Sequence, residues 1–416
     1  MSESSPGTTT ATTVCVAGCG PAGAMLGLLL ARAGVEVVVL EKHADFLRDF
    51  RGDTVHPATL EVLAELGLSE QLHELPHRKV SRFGMVRDGR RRELADFSKL
   101  KVRFPYIAFV SQSDFLGLVT GAAARYPNFR LLMCSVARGL ATEDGRVTGV
   151  RVEERDGEER VLRAALTVAA DGRHSVLRRA AGLRPREFGS PMDVVLFRIS
   201  RRETDPDEGL SIRIGGGKVL GLIDRGSYWQ GFFEVPRGGG FDEVRRAGVE
   251  RFRGNVELLA PFLADRVHEI TAVDETRFLE VRLNRLRRWH LPGLLFIGDA
   301  AHAMSPVGGF GINLAVQDAV AAANLLVEPL RRFETSGEPV PDEVLAAVRG
   351  RRLFPTVATQ TLQRLLQRFE IEPILKAPSR DRSRGVPLLP GLMARTIGLG
   401  FRSEHVDVRL LDEPRT

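Results

Sequence analysis

Residues 13–42, TVCVAGCGPAGAMLGLLLARAGVEVVVLEK, constrain the fold more than any other stretch. The apolar run Val14-Cys15-Val16 leads into Gly18-Cys19-Gly20-Pro21-Ala22-Gly23. An apolar helical segment follows, and then a second strand-like run, Val35–Leu40, ending in Glu41 and Lys42. Strand, glycine turn, helix and strand in this order form the βαβ fingerprint of a dinucleotide site. Gly18 serves the tight turn, Gly20 the close approach of backbone to a pyrophosphate, and Gly23 the contact of helix with strand. The helix start offers free N–H groups and the positive end of its dipole to phosphate. Glu41 accepts from both ribose hydroxyls and would repel a 2′-phosphate, so the site suits FAD or NAD rather than NADP.

At 416 residues the chain exceeds a typical single core, so two domains are expected. Its net charge of +6 is a small excess of 59 basic over 53 acidic side chains. The basic clusters at 90–92 and 285–288 have few aromatics among them, which argues against nucleic-acid binding. Three cysteines with no His/Cys cluster exclude a disulfide framework and a metal site, and fit a cytoplasmic protein. No apolar run reaches the roughly 18 residues of a membrane span, so no stable membrane insertion is expected. Residues 1–12 are polar and are expected to form a disordered tail.

Periodicity predicts one helix over 56–72, short strands over 78–110, a helix over 114–126, and strands over 129–134, 138–141, 147–153 and 161–169. From 186 to 280 the pattern is β, with strands at 194–200, 210–214, 219–224 and 227–235. Gly215-Gly216-Gly217-Lys218 lacks P-loop spacing and reads as a hairpin turn. Residues 376–390 read as a surface loop, and 388–400 as a core helix. The expected fold is α/β: a Rossmann-like domain assembled from 13–77, 105–185 and 281–416, and an inserted, mainly antiparallel sheet domain from 78–104 and 186–280.

Two further motifs share one logic. Leu295-Phe296-Ile297-Gly298-Asp299 ends a strand in an acid, and Ser305-Pro306-Val307-Gly308-Gly309-Phe310-Gly311-Ile312-Asn313 opens a helix over 312–328. Such a helix start stabilises the negative charge of a reduced isoalloxazine. Ala169-Ala170-Asp171-Gly172 places another acid at a strand end, before Arg173, His174 and Arg178. His302 reads as a packing residue, whereas Arg178 is either a surface charge or a functional one.

With these three motifs in this order, the chain resembles the flavoprotein aromatic hydroxylases, single-component FAD monooxygenases of the para-hydroxybenzoate hydroxylase type. The resemblance spans about 13–405. It implies that FAD is held by Gly18, Gly20, Pro21, Ala22, Gly23, Glu41, Lys42, Arg51, Gln112, Val136, Asp171, Asp299, Pro306, Gly308, Gly309, Ile312 and Asn313. It places Glu41 at the adenosine ribose, Val136 at the adenine, Gln112 and Asp299 at the ribityl chain, and Pro306 beside the reactive edge of the flavin. Asp171 would face both FAD and NAD(P)H, and Gly309, Ile312 and Asn313 would offer backbone to the ring. The implied reaction uses NADH or NADPH, as a transient co-substrate, and O2. It would hydroxylate an aromatic, phenolic or polyketide-like molecule through a flavin hydroperoxide. No catalytic acid or base is singled out. Tyr228, Gln230 and Phe232 alternate with Trp229 and Phe233, so one set is expected to line the substrate pocket. An epoxidase, halogenase or reductase on the same scaffold, or a non-catalytic nucleotide-binding protein, are the alternatives. A monomer or a homodimer would both be compatible.

Overall fold

The computed structural model describes residues 10–47, 54–87, 89–376 and 390–411. Arg51, residues 1–9 of the expected tail and 377–389 of the expected loop lie outside them. The protein has an α/β fold with a parallel nucleotide-type sheet and a second, mainly antiparallel sheet.

In the first sheet, β1 (Thr10–Ala17) is followed by α1 (Pro21–Arg32) and β2 (Val37–Leu40). β1 begins at Thr10: residues 10–12, expected in the tail, pair with 162–164. Backbone pairing needs no apolar side chain, so their polarity did not mark the strand. β3 (Phe129–Leu132) extends the sheet beside β2, and β4 (Glu159–Ala169) lies on the other side of β1. The short strand Leu294–Phe296 then pairs parallel to β4. All neighbours from Leu294–Phe296 to β3 run parallel. Val14, Cys15, Val16 and Val37–Val39 are buried, as strands covered on both faces require. α1 packs against the long helix Phe310–Ser336 on one of these faces.

The second sheet takes strands from two regions of the chain. β5 (Met192–Ser200), β6 (Leu210–Gly215), β7 (Lys218–Asp224) and β8 (Tyr228–Pro236) are ordered β5-β8-β7-β6. Arg277–Leu279 pairs outside β5, and Arg82–Arg87 runs parallel to β6 with Arg90–Asp96 beyond it. Gly216 and Gly217, at φ +54° and +72°, make the two-residue turn between β6 and β7.

One face of this sheet carries Val195, Phe197, Leu220, Leu222, Trp229 and Phe233, covered by Phe252, Val256 and Leu259 of α2 (Gly240–Leu259). The sequence pattern predicts β structure through this region, and α2 is the departure. Its apolar spacing is interrupted at Gly248, whose φ of +81° breaks the helical phase. The helix expected over 56–72 is likewise two, Pro57–Glu65 and Ser69–Glu74, separated at Gly67 with φ +74°.

The opposite face of the sheet carries Gln230 and Phe232 of β8 with their β7 partners Ile223 and Gly221. Phe232 and Ile223 pack with Met304, Phe310 and Leu314. Phe310 and Leu314 belong to α3 (Phe310–Ser336), which is followed by α4 (Asp342–Leu366), a π-helical turn at Gln367–Ile371, α5 (Glu372–Lys376) and α6 (Pro390–Leu399). The run Val307–Ser336 is, contrary to the expectation from apolar runs, long and apolar enough to cross a membrane by length and composition; 83% of its apolar window is buried inside the protein.

Candidate flavin site

The three motifs meet along one edge of the parallel sheet. At Gly18 the φ of +101° is left-handed, and a Cβ there would lie 2.5 Å from the Ala170 carbonyl oxygen. A Cβ on Gly23 would lie 1.9 Å from the Gly18 oxygen. Gly20 is the opposite case: nothing stands within 4 Å of its Cβ position. The turn is therefore closed against the protein and open on its outer side, where a phosphate would approach. Pro21 occupies the first turn of α1, and Gly20 caps the helix without a side-chain bond, so N–H groups of that turn remain available. Ala22 and Gly23 are buried behind them.

Glu41 is 8% exposed at the end of β2. Its Oε2 accepts from Cys19 N–H at 3.3 Å and its Oε1 from His43 N–H at 3.1 Å. Lys42 beside it is exposed. The Glu41 carbonyl accepts from Ser135 N–H at 2.9 Å, which brings Val136 to the same corner. Cys15 and Cys19 are packing residues, and burial pushes the Cys15 thiol up to about 12.

The second motif joins the first through side chains. Gly298 N–H donates to Asp318 Oδ2 of α3 at 3.1 Å. Asp318 also binds His302 Nε2 at 2.6 Å and Arg352 Nε of α4 at 2.9 Å. All three charged or polar side chains are essentially sealed from water. His302 rests against Trp289 at 5.0 Å between ring centroids. Asp299, next in sequence to Gly298, keeps its carboxylate one-third exposed, with Arg173 Nε 3.9 Å away. A fixed backbone thus presents a carboxylate with free accepting capacity.

Pro306 is exposed, and Gly308 and Gly309 follow it at φ +79° and +65°. Gln363 of α4 holds this loop, donating to the carbonyls of Ser305 and Val307, both at 2.8 Å. Thr54 Oγ1 donates to the Gly309 carbonyl at 3.0 Å. The N–H groups of Phe310, Gly311 and Ile312 in the first turn of α3 have no intrahelical acceptor. The Asn313 side chain has a different use from the backbone role expected for it. Its Oδ1 accepts from His56 N–H and Thr59 Oγ1, and its amide donates to the carbonyls of Thr54 and Gly309.

The third motif closes the edge. Asp171 Oδ2 accepts from Val176 N–H at 2.7 Å and Leu177 N–H at 3.1 Å, while Oδ1 is buried without a hydrogen-bond partner among the described residues. Burial raises its pKa, and those hydrogen bonds oppose the rise without cancelling it. Arg178 is 6% exposed and donates to the carbonyls of Ala300 at 2.8 Å and Arg173 at 2.7 Å, linking the third motif to the second. Gln112, in the first turn of the helix Gln112–Ala123, also has a buried oxygen without a hydrogen-bond partner among the described residues. A phosphate-open glycine turn, a ribose-type carboxylate, a second carboxylate, a free helix start and two orphaned acceptors are the donor and acceptor set that FAD needs.

The family model described as "FAD binding domain" matches residues 11–338, and the chain belongs to this family of FAD-dependent, aromatic-hydroxylase-type monooxygenases. It is an FAD-dependent oxidoreductase. Its relatives include 6-methylpretetramide 4-monooxygenase of Streptomyces rimosus, 31% identical over 362 residues, covering 86% of this chain and 84% of that protein. A second, 12-dehydrotetracycline 5-monooxygenase/anhydrotetracycline 6-monooxygenase of the same species, is 28% identical and covers 82% of this chain and 69% of the relative. Among solved structures, pqsL, a probable FAD-dependent monooxygenase from Pseudomonas aeruginosa, shares the fold with a TM-score of 0.74 at 21% identity. That match covers 89% of this chain and 99% of the other.

Proposed function

We propose that this protein hydroxylates a polycyclic phenol or enol of the aromatic polyketide class, using NAD(P)H and O2, within cytoplasmic secondary metabolism. The observation that carries the reading is the placement of the α3 start opposite an aromatic and aliphatic sheet face. Phe232 and Ile223 of that face pack with Met304 and Phe310 beside the glycine pair. Such aromatic and aliphatic side chains suit contact with a planar apolar substrate, and the 6-methylpretetramide and anhydrotetracycline monooxygenases named above support this chemical class.

In this reading Glu41 holds the adenosine ribose and the α1 start holds the pyrophosphate. Gln112, Asp171 and Asp299 bind along the middle of FAD. The loop from Pro306 to Ile312 supports the ring, and Lys42 stands on the solvent side. Held by these residues, FAD would supply the hydride acceptor for NAD(P)H and the means of transferring one atom of O2. The chain's own part is to fix that cofactor with buried groups, through Asp318 and Arg178, and to keep water from the reacting ring. The positive end of the α3 dipole would favour negative charge on a group held at that helix start.

The test is incubation of the FAD-loaded protein with NADPH or NADH, 18O2 and a panel of phenolic polycycles. Mass spectrometry should find one 18O atom in a hydroxylated product. NAD(P)H oxidation that yields only hydrogen peroxide with every phenol would refute the substrate class.

A further inference from the structure

Glu234 lies on β8, two residues beyond Phe232 and on the same face of the sheet. That spacing puts it about 7 Å along the strand from the ring that packs with Met304 and Phe310. Its directly paired neighbours are Val194 on β5 and Val219 on β7. Above them Ile374 of α5 packs on Val219 and Ile214. Glu234 is 7% exposed, Oε2 is fully buried, and neither oxygen has a hydrogen-bond or ionic partner among the described residues. A carboxylate set among aliphatic side chains without a partner is costly to a fold. Such groups accumulate where chemistry requires them.

We infer that Glu234 is a substrate-contacting general base, which accepts the proton of a phenolic or enolic hydroxyl of the substrate on the flavin-facing side of the sheet. The inference rests on the proposed phenol or enol substrate. In the step, the substrate O–H bond breaks, its electron pair stays on oxygen, and the proton bonds to Oε2. A carbon of the electron-rich ring then bonds to one atom of O2 as the O–O bond breaks; the other atom leaves as water, with two electrons and one hydrogen from NAD(P)H and one proton from solvent, and the proton displaced from the ring carbon passes to the new hydroxyl oxygen. The proton held on Oε2 returns to the original hydroxyl oxygen.

Other charged and titratable groups stand apart from Glu234. On the same face, Arg198 and Tyr228 pair with each other at 4.9 Å farther along the strands, Arg277 is exposed at the edge beside Leu196, and Arg87 lies across β6. On the element above, Glu372 and Lys376 bind one another, and Glu370 precedes them. Asp193 points to the other face, where it accepts from Val281 N–H. Burial alone pushes Glu234 up to about 8. This value brings a carboxylate nearer to a phenol, whose reference is about 10, and so improves it as a base.

The experiment compares the FAD-loaded wild type with Glu234→Gln and Glu234→Asp, using 2-naphthol and anhydrotetracycline as probes. Hydroxylated product is measured from pH 6 to 9.5, together with FAD content and urea denaturation. For the wild type, kcat/KM should rise with pH and level off above about 8. Glu234→Gln should lose that rising limb and fall about 100-fold or more at pH 8, the usual scale of general-base catalysis. Its FAD content should be unchanged, and its urea midpoint equal or higher, because an unpaired buried acid has been removed. Glu234→Asp should retain the limb. A rising limb preserved in Glu234→Gln, or a lowered urea midpoint that accounts for the lost rate, would overturn the assignment while leaving the proposed function intact. A wild type that hydroxylates neither probe would instead overturn the phenol reading and this assignment with it.

Discussion

Asp318→Asn removes one charge from the group of side chains that anchors the flavin-side backbone. The carboxylate is wholly buried and receives His302 Nε2, Arg352 Nε and Gly298 N–H at 2.6, 2.9 and 3.1 Å. Asparagine keeps one accepting oxygen, turns an NH2 group toward a donor and leaves Arg352, 1% exposed, with Glu404 at 3.6 Å in place of its closer carboxylate at 2.9 Å. Breaking such a pair from one side costs about 3–5 kcal/mol, or roughly two to four powers of ten in the folding equilibrium. Burial pushes the Asp318 carboxyl up, but His302 and Arg352 outweigh burial and hold it below its ordinary value. A depressed native value gives stability that is present above the unfolded pKa of about 4 and is lost as pH falls through the native value. Urea denaturation should therefore find a gap between wild type and variant that is constant above about pH 5 and narrows below about pH 4. The variant should also lose FAD on gel filtration, because Gly298 N–H sets the position of Asp299. A variant within about 1 kcal/mol of wild type, with full flavin content, would refute the anchoring argument.

Glu41→Arg should weaken FAD binding by about tenfold or more, from the loss of ribose hydrogen bonds, and flavin fluorescence titration reads this directly; unchanged affinity would refute the ribose assignment. Gly221→Ala places a Cβ 1.7 Å from the tip of the Phe232 ring on the flavin-facing side, so the ring must swing away. It should raise KM for the aromatic substrate with little change in the urea midpoint. Gly231→Ala meets the Phe197 ring at 2.2 Å on the other side, under α2. It should lower stability by about 1–3 kcal/mol and change KM little, and equal effects of these two variants would contradict the assignment of the two faces. Gly18→Ala meets backbone at 2.5 Å in a left-handed conformation, and should yield little soluble, flavin-loaded protein in an expression and absorbance assay.

The parallel sheet was legible because strands buried on both faces read as continuous apolar runs, as Val14–Val16 and Val37–Val39 do. The hairpin at Gly216-Gly217 was legible from its turn chemistry. Helix α2 was not: Gly248 shifts the phase between Val244 and Phe252, and glycines precede the first turn. Glu234 was missed for a different reason. Alternation assigns a charged residue in a strand to water, yet both faces of this sheet are covered, one by α2 and the other by α3 and α5. The strand pattern did separate Phe232 from Trp229 and Phe233, although which set meets the flavin side depended on where α2 packs. Likewise Asp318 and Arg352 lie 34 positions apart on two helices, and only the packing of α3 on α4 brings them together. His302, read as a packing residue, does pack on Trp289 while also bonding to Asp318.

Anaerobic stopped-flow absorbance of the FAD-loaded protein tests the central claim most directly. NADH or NADPH is mixed with the protein in the absence and presence of phenolic polycycles, and the flavin band is followed. The account predicts bleaching by at least one nicotinamide, accelerated by a phenolic compound, and product formation once O2 is admitted. A flavin that neither nicotinamide reduces, with or without any phenol, would contradict it.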